Sequence, residues 1–252
     1  MTAEPHGIPS WAGQGKYALR FQWGPLVAPT LTEGVCVVVD VLRFTTAVEA
    51  AVTRDVAVYP YRWRDATAAA FAGSVRALLA DARDPTGPSL SPWSMEGLAT
   101  GTSLVLPSPN GSACAVLASG AGAQVVAGCL RNAAAVGAWA DKADGPVTVI
   151  GCGEKWPDGS LRPSLEDLLG AGAIMATMTA EPSPEARAAI AAFRDAADDL
   201  PTVLSQCASG RELAEKGWQA DIQYAAQLNV STTVPVLTDG AFRCRHPGKR
   251  SR

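Results

Sequence analysis

Histidine is almost absent from this chain of 252 residues. The only two histidines, His6 and His246, lie near the two ends of the sequence. A histidine phosphatase and a histidine-ligated zinc centre both need imidazole side chains within the folded part of the chain. The sequence therefore argues against both chemistries.

Several compact catalytic motifs are missing as well. Cys36 and Arg43 are one residue too far apart for the C-x5-R pattern of cysteine phosphatases. The patterns that bind nucleoside triphosphates and dinucleotides, G-x-x-x-x-G-K-[ST] and G-x-G-x-x-G after a strand, do not occur. Asp40-Val41-Leu42 lacks the second aspartate of an Asp-x-Asp nucleophile. Two interpretations remain open: metal chemistry with oxygen ligands, or binding of a small anion.

The chain also lacks a strong net charge and long apolar runs. Its formal charge of −3 and its isoelectric point near 5.4 disfavour broad attraction to nucleic acid or anionic lipid. No apolar run approaches the roughly 20 residues needed to cross a bilayer, and residues 1–15 lack the basic start and apolar stretch of a secretory signal. We therefore expect a soluble, cytoplasmic protein that binds neither nucleic acid nor membrane, while a homo-oligomer stays open.

Cysteine is present but unpaired in sequence. There is no C-x-x-C pair, and most of the cysteines sit within apolar segments. This usage predicts reduced, largely buried thiols. The six positions are Cys36, Cys114, Cys129, Cys152, Cys207 and Cys244.

Hydrophobic patterning predicts an α/β fold. Short β-branched runs alternate with Ala-rich stretches of helical period, which is typical of βα units that form a largely parallel sheet covered by helices. We expect a disordered segment over residues 1–16, one folded unit over 17–243 and a basic tail over 244–252. The predicted strands are 17–23 (an edge strand), 35–39, 56–59, 103–106, 124–127, 147–150 and 234–238. The predicted helices are 45–53, 65–82, one starting at 112, 132–141, 165–178, 184–200 and 210–216.

Residues 83–102 are rich in Pro, Ser and Gly and have no period. They therefore form a predicted long loop, which is either a functional lid or an ordinary surface connection.

The first candidate motif, Asp40 to Thr46, directly follows the apolar strand at 35–39. In open α/β sheets ligands bind beyond the carboxyl ends of strands. Asp40 offers hard oxygen ligands to a divalent cation, and Arg43 can bind phosphate with two N–H groups. Thr45 or Thr46 is predicted to cap the next helix. The alternative is that Asp40 and Thr45 satisfy a turn and that Arg43 is solvated.

The second candidate motif is Asn110-Gly111-Ser112, again between a strand and a helix. Asn-Gly favours a tight turn, and Ser112 is predicted to cap the helix that follows. An oxyanion can rest against backbone N–H groups at such a place, although an isolated Asn-Gly is also an ordinary turn.

The third candidate motif combines Gly151-Cys152-Gly153-Glu154-Lys155 with the acids Glu166 and Asp167. Adjacent residues of a helix do not share a face, so the two acids are expected to have different roles. Asp167 lies three residues after Ser164 and is predicted to complete a capping arrangement there. Glu166 is then the better candidate for a metal ligand or general base, and a purely structural pair is the alternative.

The fourth candidate is Asp221, which opens an amphipathic stretch of helical period. The simplest interpretation is a helix N-cap.

Four motifs, taken in order, resemble the 2-phosphosulfolactate phosphatase family over roughly residues 17–240. They are Asp-Val-Leu-Arg-x-Thr-Thr at 40–46, Asn-Gly-Ser at 110–112, Ser-Leu-Glu-Asp-x-x-x-Ala-Gly at 164–172, and Ser-Gly-Arg-x-Leu…Gly…Asp-Ile at 209–222. None is specific alone, and the resemblance rests on their shared order. It implies a three-layer α/β/α fold with a largely parallel sheet, in which some mixed pairing stays open.

The resemblance also implies a function: magnesium-dependent hydrolysis of a small phosphorylated acid, 2-phosphosulfolactate or a related 2-phospho-hydroxy acid. The implied metal ligands are Asp40, Glu166 and Asp167, and the implied catalytic residues are Asp40, Glu166 and Arg43. The implied substrate-binding residues are Arg43, Thr45, Thr46, Asn110, Gly111, Ser112 and Cys152. We expect Mg²⁺, Arg43 and backbone donors to neutralise the phosphate while Glu166 orients water; Cys152 as a nucleophile is the rival mechanism.

One segment departs from the family pattern. Members carry a Gly-Glu-Arg…Gly-Asn-Ser-Pro stretch in mid-chain, of which this sequence retains Arg83 and Ser91-Pro92. The departure motivates an alternative function, a catalytically degenerate protein that binds small anions on the same scaffold.

Overall fold

The fold was determined as a computed structural model that describes residues 13–81, 84 and 87–245. Most of the predicted N-terminal segment, most of the basic tail, both histidines and Arg83 therefore lie outside the described residues. The strands are β1 Leu19–Trp23, β2 Val35–Val39, β3 Ala57–Tyr61, β4 Leu78–Leu79, β5 Ser103–Pro107, β6 Gln124–Gly128, β7 Val147–Gly151, β8 Glu154–Lys155, β9 Leu161–Arg162, β10 Pro235–Thr238 and β11 Ala241–Cys244. The helices are α1 Phe44–Thr53, α2 Ala66–Ser74, α3 Gly111–Ala121, α4 Ala133–Ala140, α5 Leu165–Met175, α6 Pro184–Ala196, α7 Leu200–Gln206, α8 Ala208–Glu215 and α9 Gln219–Ala225.

The central sheet has the strand order β1-β7-β2-β6-β10-β11-β3-β5-β4. Neighbours are parallel from β1 to β6 and again from β3 to β4. The hairpin of β10 and β11 joins the two groups through antiparallel pairs. The sheet is mostly parallel and has helices on both sides, which confirms the predicted α/β/α class.

Strand β2 explains why both faces of the sheet are covered. All five of its residues are apolar and buried. Val37 and Val39 face the core packed by α4, α5 and α6, while Cys36 and Val38 face the core packed by α1 and α3. Alternate residues of a strand point to opposite faces, so a continuous apolar run needs a helical layer on each side.

One predicted helix is wrong. The Ala-rich stretch 65–82 forms a helix only from Ala66 to Ser74, and Leu78–Leu79 then pairs with β5 as an edge strand. The helix ends where Arg76 takes a left-handed backbone conformation with φ of 53°. Pairing of Leu78–Leu79 with β5 therefore outweighs the helix propensity of the alanines that precede it.

The strand β11 was not predicted. It follows β10 through Asp239 and Gly240, which both have positive φ angles of 52° and 79°. Two positive φ angles in succession are typical of the tight turn that suits a β-hairpin, and Asp-Gly is a favoured sequence for it.

Helices α5 and α6 pack closely at Gly172. A Cβ atom there would lie 2.2 Å from the carbonyl oxygen of Ala189 and 2.7 Å from Cβ of Phe193. Because backbone cannot yield cheaply, we expect Gly172→Ala to lower the free energy of unfolding by about 1–3 kcal/mol. Denaturant unfolding measures the change.

Gly73→Ala in α2 is the matched control, because a Cβ atom there meets nothing within 4 Å. It should leave the protein equally stable or more stable by up to about 1 kcal/mol. Equal stability of the two variants would contradict the close packing of α5 and α6.

No helix in the described ranges is both long and apolar enough to cross a bilayer.

Candidate active site

Asp40 lies where the carboxyl ends of two strands meet. β2 and β7 end side by side, since Val39 pairs with Gly151. Asp40 follows β2, and its Oδ1 accepts the N–H of Phe44 at 3.1 Å while Oδ2 accepts the N–H of Gly111 at 2.9 Å. These N–H groups begin α1 and α3, so two helix N-termini point at one carboxylate, which stabilises its negative charge.

Burial nevertheless raises the pKa of Asp40 to about 6, and the charge of Glu166 adds to the effect. The two backbone N–H groups and the charge of Arg64 act in the opposite direction. The carboxylate is thus desolvated and lies near a like charge, which a bound cation would relieve.

Asp167 ties together the segments that follow β2 and β7. Its Oδ1 accepts the N–H of Val41 and its Oδ2 accepts the N–H of Gly153, each at 2.8 Å. Burial raises the pKa of Asp167 well above the usual range, and the charges of Asp40 and Glu166 add to the effect. The predicted capping arrangement with Ser164 is wrong, because that serine makes no side-chain cap bond and its buried hydroxyl has no partner among the described residues.

Two glutamates complete the cluster. Glu166 is buried, and its Oε2 accepts the thiol of Cys207 at 3.3 Å. Glu154 accepts the side-chain N–H of Asn110 at 2.9 Å. Burial and the charges of Asp40 and Glu166 raise the pKa of Glu154 to about 7, although the Asn110 bond and Arg162 oppose the rise.

Glu154 was not among the predicted site residues. The signal was in the third motif, where this glutamate follows β7 by three positions. The prediction chose the adjacent acids Glu166 and Asp167 instead. A partly buried acid with a pKa near neutrality is suited to proton transfer.

Arg43 is held in place by Asp221. Its Nη1 lies 2.6 Å from Oδ2 of Asp221, and its guanidinium packs over the ring of Trp218 at 4.3 Å. Asp221 is therefore a partner of Arg43, and its predicted N-cap role is wrong because Trp218 precedes the first residue of α9. The other oxygen of Asp221 accepts the hydroxyl of Ser91 at 2.6 Å.

The hydrogen bond between Ser91 and Asp221 connects the loop between β4 and β5 to the candidate site. Ser89 and Ser91 are buried, and Trp93 donates its indole N–H to the carbonyl of Ala220 at 3.1 Å. The described part of the loop is thus packed on α9 and reaches Arg43 through Asp221.

Three predicted substrate-binding hydroxyls are used inside the chain. Thr45, Thr46 and Ser112 are fully buried and donate to the backbone carbonyls of Asp40, Val41 and Leu106, respectively. Their predicted capping roles are wrong, because α1 starts at Phe44 and α3 at Gly111. These hydroxyls shape the turns that aim the helix N-termini.

Cys152 lies beneath the cluster and is buried. Burial raises the pKa of its thiol well above the usual range, and Cys114, Asp40 and Asp167 add to the effect. A protonated thiol is a poor nucleophile, which disfavours the rival covalent mechanism.

The carboxylates do not form a metal cage by themselves. Over residues 13–81, 84 and 87–245, no three Asp, Glu, Cys or His side chains converge closely enough to hold an ion. Magnesium usually binds proteins through only one or two carboxylates and takes its other ligands from water and substrate phosphate. The hard oxygens of Asp40 and Glu166 fit that pattern, and magnesium binding by Asp40, Glu166 and Asp167 stays a prediction.

Comparison with known proteins identifies the class as phosphatases. A 2-phosphosulfolactate phosphatase of Methanothermobacter thermautotrophicus is 29% identical over 213 residues, covering 82% of this chain and 88% of the relative. A probable 2-phosphosulfolactate phosphatase of Thermosynechococcus vestitus is 35% identical over 120 residues, 44% of this chain and 48% of the relative. Both names describe phosphoric monoester hydrolases.

The model of the 2-phosphosulpholactate phosphatase family matches residues 26–240. The match spans most of the chain and all the site residues described above. The chain therefore belongs to this family and is a phosphatase.

Proposed function

We propose that this phosphatase is magnesium-dependent and hydrolyses a small acidic phosphate monoester of the 2-phosphosulfolactate type. The observation that carries the proposal is the cluster of Asp40, Glu154, Glu166 and Asp167 at the converging N-termini of α1, α3 and α5. Three of these carboxylates are buried, and their charges act on one another. The names of the two relatives supply the substrate type.

Magnesium held by Asp40 and Glu166 would neutralise charge on the phosphate and on the leaving oxygen. Both oxygens of Asp167 accept a backbone N–H, and so do both oxygens of Asp40. These bonds orient each carboxylate and leave lone pairs of its oxygens available to a cation. Asp167 also fixes the two strand ends that carry the site.

Arg43 is the proposed phosphate ligand. Asp221 and Trp218 fix its guanidinium, and only one nitrogen is used in the ion pair. Because the five N–H groups of arginine form a rigid fork, the remaining ones are oriented before substrate arrives. Such preorganisation lowers the cost of binding a charged group.

Glu154 is the proposed acceptor of the proton from attacking water. It is the least buried of the four carboxylates, so a water molecule can reach it. Asn110 donates to one of its oxygens at 2.9 Å, and the other accepts no hydrogen bond from the described residues. Glu166, which the sequence favoured for orienting water, is more deeply buried and better suited to bind the cation.

The first test is phosphate release from 2-phosphosulfolactate and from a panel of 2-phospho-carboxylates, with Mg²⁺ and with excess chelator. We expect chelation to lower the rate by at least about 100-fold, because charge neutralisation of a transferring phosphate contributes several kcal/mol. Restoring Mg²⁺ should restore the rate. Equal turnover with chelator would refute magnesium dependence.

The alternative is a catalytically degenerate binding protein, which the altered segment near Ser91 suggested. It predicts that sulfolactate raises the melting temperature while no substrate in the panel is hydrolysed. The hydrogen bond from Ser91 to Asp221 favours the phosphatase, because it shows that the loop still helps to hold the partner of Arg43.

We also propose a cytoplasmic location. Five cysteines are buried and carry free thiols, which suits a reducing compartment.

A further inference from the structure

We propose that Arg62, Arg64 and Lys155 form a cationic wall that binds the anionic groups of the leaving acid and thereby sets substrate specificity. This inference rests on the proposed function and deepens it. None of the three residues was a predicted site residue.

The three side chains line one cavity of about 750 Å³. The rest of its lining is apolar or uncharged, including Pro25, Leu26 and Trp63, and no acidic residue contributes. A cavity whose only charged groups are cations favours an anionic occupant. Leu26, Trp63, Arg64 and Lys155 are exposed, so the cavity is open to a ligand from solvent.

The cations are available for a ligand. In the part of the chain that the structure describes, none of the three forms a salt bridge. Arg62 packs its guanidinium over the ring of Trp63 at 4.8 Å, which orients the planar group without neutralising its charge. By contrast, the partly buried Arg43 and Arg131 are paired with Asp221 and Glu49, respectively.

The cavity adjoins the catalytic cluster. Lys155 directly follows Glu154, and the lining residue Pro109 directly precedes Asn110, the partner of Glu154. The charge of Arg64 also acts on Asp40. A phosphate bound at Asp40 would therefore lie beside this wall, within reach of its charges.

The positions of the positive charges suit a phosphate ester whose leaving acid is itself anionic. Arg43 and magnesium, as proposed above, would neutralise the phosphate, and Arg62, Arg64 and Lys155 would neutralise the acid that leaves. Arginine binds a carboxylate or a sulfonate through two N–H groups, whereas lysine adds a point charge. The wall thus favours esters whose leaving acid carries two anionic groups over those with one or none.

The test compares three phosphate esters that differ in the charge of the leaving group. They are 2-phosphosulfolactate with two anionic groups, 2-phospholactate with one, and isopropyl phosphate with none. We expect Arg64→Gln to raise KM about tenfold for the doubly charged ester, since losing one charge-assisted contact weakens binding by roughly that factor. The increase should be smaller for 2-phospholactate and smallest for isopropyl phosphate, in which only the phosphate responds to the lost charge near Asp40. Arg64→Lys should reverse part of the increase.

Lys142→Gln is the matched control. Lys142 lines a different cavity, together with Gly34 and Gly122 at the opposite ends of the strands, and its replacement changes net charge equally. Its KM values should equal those of the unmodified protein for all three esters. An Arg64→Gln effect of equal size on all three esters, or no effect on any, would overturn the proposal.

A binding measurement separates this inference from the proposed function. Calorimetric titration with sulfolactate, the dianionic product, needs no turnover. We expect the unmodified protein to bind it and the Arg64→Gln/Lys155→Gln double variant to bind about 100-fold more weakly. This outcome would support the wall even if no ester is hydrolysed, and equal affinity or no binding by either protein would refute the wall even if hydrolysis occurs.

Discussion

Replacing Asp40 by asparagine is expected to lower phosphate release by about 10²–10³-fold. The amide keeps the size of the carboxylate but loses its charge, so it cannot attract a cation. It also places an N–H₂ group opposite the N–H of Phe44 or of Gly111, which both donate to Asp40. Initial rates at saturating Mg²⁺ measure the loss.

Stability should respond differently from activity. The asparagine keeps one acceptor oxygen and loses one of the two backbone hydrogen bonds, but it removes a desolvated charge that Glu166 repels. Because these effects oppose each other, we expect the free energy of unfolding to change by less than about 2 kcal/mol. Asp144→Asn, at an exposed position, should change neither quantity. Full activity of Asp40→Asn would refute the assignment of this cluster as the active site.

Gly111→Ala is expected to damage both activity and stability. A Cβ atom there would lie 2.2 Å from Cδ1 of Phe44 and 2.7 Å from Oδ2 of Asp40. Phe44 is fully buried and packs against Phe242 with ring centroids 6.2 Å apart, so its ring cannot move freely. We expect a loss of about 1–3 kcal/mol in the free energy of unfolding.

The activity loss follows from the displacement of Asp40. A shift of about 1 Å in a catalytic group can lower the rate about 100-fold. Rates and denaturant midpoints should be measured on the same preparations, under conditions where the variant is fully folded.

Gly120→Ala in the same helix is the matched control. A Cβ atom at this position meets nothing within 4 Å, and alanine is favoured over glycine within a helix by about 1 kcal/mol. The control should therefore be equally or more stable and fully active. A fully active Gly111→Ala variant would contradict the close approach of α3 to Asp40.

Local patterns in the sequence predicted most of the fold. The continuous apolar run at β2 predicted a strand buried on both faces, because each side of it needs a covering layer. The same reasoning failed at Leu78–Leu79, where pairing with β5 decides the structure of a stretch that otherwise favours helix. β11 was missed because four residues beside a basic tail give too short a pattern, although Asp239-Gly240 signalled its turn.

Only the site residues that follow a strand could be predicted from the sequence. Asp40, Asn110 and Gly111 follow strands in the sequence, and their proximity follows from the architecture of such sheets. The pairing of Arg43 with Asp221 joins residues 178 positions apart, and no local pattern encodes it. Arg62 and Arg64 likewise belong to no motif, and they share a cavity with Lys155 of the third motif only through the fold.

The position of the β10–β11 hairpin has a consequence for synthesis on the ribosome. The hairpin fills the middle of the sheet, between β6 and β3, yet it is made after both of them. Until residues 235–244 have emerged, β6 and β3 each present an unpaired edge, and such edges are prone to pair with other chains. The nascent chain therefore needs protection from aggregation at a late stage, when most of its helices can already form.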